Sequence, residues 1–120
     1  AAGHSAVMQW QRGIRAFETC TRNTCAIGAV AALGEMTHRP GILDPSRAAG
    51  RRSLVPALAR AGVAVGADGL IVEMHPNPEK AMSDGAQSLD PKQFAKMMAD
   101  LKPYIALWKQ ARMAETAATV

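Results

Sequence analysis

Apolar and polar positions repeat one pattern three times along the chain: a short apolar stretch, a polar turn, then a helical period. Ala6 to Trp10 is apolar apart from Gln9 and leads into the turn-like Gln11, Arg12 and Gly13. From about Ile27 to Met36 the apolar residues Ile27, Val30, Ala31 and Leu33 fall on one side of a helix, which Pro40 and Gly41 end. Ile42 and Leu43 predict a second short strand ending at Asp44, Pro45 and Ser46. Leu54, Leu58, Ala61 and Val65 then keep the 3.6-residue spacing of a helix from about Ser53 to Val65, with Gly66 as its stop.

The third repeat opens at Gly69. Leu70, Ile71 and Val72 show no apolar–polar alternation, the signature of a strand covered on both faces in a parallel sheet. After a long loop, Asp90 and Pro91 suit an N-cap and first helical residue. Phe94, Met97, Met98, Leu101, Ile105 and Trp108 line one face of a terminal helix reaching about Arg112. Pro103 inside that span predicts a kink or a break. The tail from Ala114 to Val120 is expected to fray, which sets a domain over 1–112 and a loose end over 113–120.

Strand–helix alternation implies an α/β fold with parallel strands and right-handed crossovers. The polar residues of interest fall at the strand ends: Arg12 after the first, Asp44 to Arg47 after the second, Glu73 and His75 after the third. A carboxylate as close to a buried strand as Glu73 needs a partner, either a metal ion or a basic group. Asp84, beside Gly85 in the following loop, offers a second oxygen ligand or is simply a turn residue. The Arg12 guanidinium presents a planar fork of donors suited to phosphate or carboxylate; the bland reading is a surface arginine in a turn. Arg15 and Arg22 are weaker cases, as partners of Glu18 or as the exposed side of a loop. His75 reads as an orienting or packed loop residue and stays outside the metal set.

Composition adds little that is specific. The chain has 120 residues, 48% hydrophobic and 20% charged, near the average for a globular protein. A formal charge of +4 favours anionic ligands, but Lys and Arg are scattered and aromatics make up 4%, which points away from nucleic acid. No apolar run approaches the roughly 20 residues of a membrane helix, and AAGHSAVMQW lacks a signal-peptide pattern. An untargeted, cytoplasmic protein is expected, with no membrane partner. Cys20 and Cys25 lack a CxxC neighbour and read as reduced thiols.

Three stretches carry a resemblance: QRGIRAFETCTRNT from Gln11, HRPGILDPSRAAGRRSLVPALARAGVAVGADG from His38, and VEMHPNPEKAMSDGAQSL from Val72. In this order they resemble the C-terminal part of 3-deoxy-D-arabino-heptulosonate 7-phosphate (DAHP) synthase, in the class I family that also contains the KDO8P synthases. The resemblance implies the last three βα units of a (β/α)8 barrel, whose chemistry sits at the strand C-termini. It implies condensation of phosphoenolpyruvate with erythrose 4-phosphate at the start of the shikimate pathway, with Arg12 holding phosphoenolpyruvate. Glu73 and Asp84 match two ligands of a divalent metal such as Mn2+, which would polarise the aldehyde.

Arg47 departs from the resembled motif, where DPS is followed by a metal-ligating histidine. A guanidinium has no free lone pair and does not deprotonate in proteins, so it cannot replace that ligand. Its cation is expected instead between Glu73 and Asp84, in place of the metal's charge. Gln11 and Trp10 also depart from the usual residues of the subgroup. A complete barrel takes about 250 residues, so this chain is expected to be inactive alone, with two of four ligands, and to form a homo-oligomer or join the missing strands. The alternatives are a non-catalytic relic or subunit that binds phosphate anions, and a KDO8P synthase-like enzyme that uses arabinose 5-phosphate.

Overall fold

Three parallel strands set which side chains share a face. The computed structural model of the chain describes residues 6–119. Strands β1 (Gln9–Gln11), β2 (Gly41–Leu43) and β3 (Gly69–Leu70) lie side by side in that order, all parallel. Trp10, Ile42 and Gly69 form one row across the sheet; Gln11, Leu43 and Leu70 form the next. Successive strand residues point to opposite faces, so the second row meets the helices. Leu43 is fully buried and packs with Leu70, Ala67 and Val30.

Val30 belongs to α1 (Ile27–Met36), which spans the predicted residues. Helix α3 (Val55–Val65) begins with a single 3₁₀ turn at Arg52–Leu54 and ends on Gly66 in the left-handed conformation, so the predicted span and stop both hold. Its Gly62 passes so close to the sheet that an added Cβ would lie 2.6 Å from Leu43 Cδ2. A short helix, α2 (Pro45–Ala49), was not predicted; five residues are too few to show a period.

The terminal helix α4 (Pro91–Ala118) starts where expected. The Asp90 carboxylate accepts from the Gln93 N–H at 2.7 Å and the Gln93 side chain accepts from the Asp90 N–H at 2.9 Å, a reciprocal cap. Met97 and Leu101 of this helix join Ala49, Val55, Ala59, Val63 and Leu89 in the main core. All six residues predicted on its apolar face line a cavity of about 480 Å³ between α4, α3 and β3.

Three expectations need correction. The Leu70–Val72 run is not covered on both faces: β3 is assigned only to Gly69–Leu70, and Ile71 is 39% exposed. Helices cover one face of this small sheet, and Ile71 sits on the other with Trp10, itself 45% exposed. Pro103 does not break α4. Pro103 and Ala99, whose carbonyl loses its helical partner, are both exposed, so water can satisfy the carbonyl. The helix also continues past Arg112 to Ala118, because the segment is rich in Ala, Met and Glu, which are strong helix formers.

Candidate functional site

The site grows from the C-terminal end of β2. The Asp44 N–H donates to the Gln11 carbonyl at 2.9 Å, which ties the ends of β1 and β2 together. Asp44 then caps α2: its Oδ1 accepts from the Arg47 backbone N–H at 2.9 Å, with Pro45 at the first helical position. One turn on, the Arg47 guanidinium lies over the other oxygen, with Nε 3.9 Å from Asp44 Oδ2. The base of that side chain is fixed on both sides, since the Arg47 carbonyl accepts from Asn23 Nδ2 at 2.9 Å.

The end of β3 brings in Glu73. Its N–H donates to Oγ of the buried Ser46 at 3.0 Å, and its carbonyl accepts from the Leu89 N–H at 2.9 Å. Glu73 is thus held between α2 and the returning loop. Its Oε1 lies 3.8 Å from Arg47 Nε and accepts from Gln87 Nε2 at 2.9 Å.

Asp84 completes the ring. It is a non-glycine residue at φ 53°, in the left-handed region that Asp tolerates better than most. Its Oδ1 accepts from Arg22 Nη1 at 2.8 Å, and its Oδ2 lies 3.6 Å from Arg47 Nη2. Arg22 Nη1 also donates to Gln87 Oε1 at 2.7 Å. Residues from four segments therefore form one network: carboxylates Asp44, Glu73 and Asp84, guanidiniums Arg22 and Arg47, and the buried amide of Gln87. Arg47 lies between Glu73 and Asp84, the arrangement expected of it.

Arg12 shares the strand-end side of the sheet but not the network. By strand alternation it follows Trp10 on the open face, and its guanidinium stacks 3.6 Å from the Trp10 ring centroid. Arg22 pairs with Asp84 and Gln87, and not with Glu18 as one reading had it. Glu18 is instead hydrogen-bonded by the hydroxyl of Thr21, the backbone of Cys20 and the hydroxyl of Thr24, with the Thr21 bond foremost in holding its carboxyl below the ordinary value. Burial pushes the Cys25 thiol up, which keeps it protonated and unreactive. His75 accepts from the Asn77 N–H at 2.9 Å through Nδ1, the behaviour of a loop-shaping residue.

Gln87 is the participant that sequence reasoning missed. It is 2% exposed, and a buried amide needs partners on both ends. Its only signal was a long polar side chain between the small residues of the GAQS stretch.

The donor set does not suit a divalent ion as it stands. A bound ion needs its oxygens at about 2.0–2.6 Å from one point, whereas these carboxylates surround a planar cation at 3.6–3.9 Å. Among the described residues, no three His, Cys, Asp or Glu side chains are grouped to hold a metal.

Comparison with known proteins settles the family. The profile of the DAHP synthetase I family matches residues 1–107. This chain belongs to the DAHP synthetase I family. Phospho-2-dehydro-3-deoxyheptonate aldolase of Thermotoga maritima is 50% identical over 101 residues, which are 84% of this chain and 30% of the relative. A 2-dehydro-3-deoxyphosphooctonate aldolase of Caulobacter vibrioides is 36% identical over 119 residues, 92% of this chain and 41% of the relative. Among solved structures, a truncated form of the Thermotoga maritima DAHP synthase superposes with a TM-score of 0.85 at 48% identity, covering 88% of this chain and 41% of that one. This DAHP synthetase I chain thus spans well under half the length of these relatives. The resemblance read from the three sequence motifs is borne out. Among the described residues, no helix is long and apolar enough to cross a membrane.

Proposed function

We propose that the chain forms the last three βα units of a DAHP synthase-like (β/α)8 barrel and serves, in the cytoplasm, the condensation of phosphoenolpyruvate with erythrose 4-phosphate. That reaction forms a carbon–carbon bond between the methylene carbon of phosphoenolpyruvate and the aldehyde carbon, consumes one water, whose oxygen and protons make up the balance as the enol phosphate becomes a ketone, and releases inorganic phosphate. The supporting observation is the placement of Arg12 and Asp44 directly after β1 and β2, and of Glu73 three residues beyond β3, on the C-terminal side of three parallel strands in a chain 50% identical to an enzyme of this class. Arg12, exposed on the open face, is the residue for the anionic groups of phosphoenolpyruvate. The metal that the resemblance assigns to Glu73 and Asp84 does not fit the donor set described above.

The same structure supports the need for further strands. Trp10, Ile71 and Met74 are exposed on or beside the open sheet face, and the apolar cavity against α4 borders β3. Apolar surface of this kind calls for cover. The remaining βα units have to come from outside these 120 residues.

An assay for phosphate release tests the reading. The chain alone, given phosphoenolpyruvate and erythrose 4-phosphate, is expected to release none. Mixed with a family polypeptide carrying the complementary βα units, it is expected to turn over, and at least about tenfold faster with erythrose 4-phosphate than with arabinose 5-phosphate, a margin of about 1.4 kcal/mol. Turnover by the chain alone would refute the incomplete barrel. A stable but inactive mixture would favour a non-catalytic, phosphate-binding subunit.

A further inference from the structure

Asp44 is the most deeply placed charge in the network, with only 1% of its side chain exposed. One of its oxygens is used in capping α2, and the other faces the Arg47 guanidinium. Burying a carboxylate is costly unless it is paired and hydrogen-bonded. Glu73 and Asp84 approach the same guanidinium from the end of β3 and from the following loop, at 3.8 and 3.6 Å. These distances lie beyond a good hydrogen bond, so Arg47 acts on the three acids through charge and not through donor geometry.

The rest of the network is consistent with a fixed cation at this point. Asp84, in a left-handed backbone conformation, meets two guanidiniums, Arg22 on one oxygen and Arg47 on the other. With both arginines charged, the three carboxylates leave one net negative charge. A divalent ion entering between them would lie against the Arg47 cation and would have to displace it.

From this we infer that Arg47 is the resident cation of the site: a permanent positive charge that holds Asp44, Glu73 and Asp84 together as a divalent ion would, and makes the chain independent of metal. The inference rests on the family reading only for the expectation that a metal belongs here. A guanidinium stays protonated at any working pH and cannot be removed by a chelator.

Thermal unfolding of the full 120-residue chain tests it. The melting temperature is expected to agree within about 1 °C between EDTA and millimolar MnCl2, since a ligand stabilises only a state that binds it. Arg47→Met is expected to lower it by roughly 4–8 °C in EDTA. Arg47→Lys, which keeps the charge and loses the planar fork, is expected to recover at least about half of that loss. An Arg47→Met chain that melts unchanged in EDTA would overturn the inference, as would Arg47→Lys falling as far as Arg47→Met. If Arg47→Met does not fold, calorimetric titration of the unaltered chain with MnCl2 decides. Heats of dilution alone support a resident cation, and saturable binding overturns it. Saturable binding would leave the family reading intact, because that reading stands or falls on phosphate release.

Discussion

Replacing Leu101 with alanine is expected to lower the unfolding free energy of the chain by about 3 kcal/mol, with a fall in melting temperature on the order of 10 °C. Leu101 is 1% exposed and is a member of the main core, where α4 packs against α3. It also borders the apolar cavity of about 480 Å³. Truncation therefore enlarges a space that is already present, and the rigid backbones of two helices limit how far the walls can collapse. The cost is the lost transfer energy plus the added cavity, which places the change in the middle of the range of about 2–5 kcal/mol for such substitutions. Urea unfolding checks it, with an unchanged m-value as the sign that the native fold persists. A loss below about 1 kcal/mol would mean that α4 is not docked on this core.

Gly85→Ala is expected to cost about 2–3 kcal/mol, near the upper end for overpacking. A Cβ at Gly85 would collide with the carbonyl oxygen of Pro78 and lie 3.3 Å from the Ala81 Cβ. The obstacle is backbone and cannot swing aside as a flexible side chain can. Arg52 reinforces the crowding, donating to the Gly85 carbonyl at 3.1 Å and to Glu79 at 2.9 Å. Relief has to come from movement of the loop, and that loop carries Asp84 and Gln87. The substitution should therefore loosen the network as well as lower stability. Hydrogen exchange is the suitable check: the Gln87 and Ser88 amides, both donated to the Asp84 carbonyl, should lose protection ahead of the core. Unchanged protection at those amides would show that the loop absorbs the methyl group elsewhere.

What could be read from the residues alone followed physical locality. The period of α3, the cap at Asp90 and the apolar stripe of α4 are all written in neighbouring residues, and the structure reproduces them. The end of β2 was also readable, because Asp44 follows an apolar run. The meeting of Arg47 with Glu73 and Asp84 was expected from the resemblance, which groups these positions round a metal, together with their neighbouring strand ends. The contacts of Arg22 did not follow. They join residues 62 and 65 positions apart, and nothing near Arg22 in the sequence points to Asp84 or Gln87. The limits of β3 depend on which faces are covered, a tertiary property that a run of Leu, Ile and Val does not encode. Continuity through Pro103 likewise depends on which side of α4 faces water.

A double-mutant cycle on Arg47→Met and Glu73→Gln is the decisive test of the convergence of these distant side chains. Both side chains are partly exposed, at 35% and 25%, so solvent screening tempers the expected coupling. The structure predicts a coupling free energy of about 0.5–1 kcal/mol by urea unfolding, because each substitution removes the same contact. Additivity within about 0.3 kcal/mol would place the two residues apart and contradict the site described here.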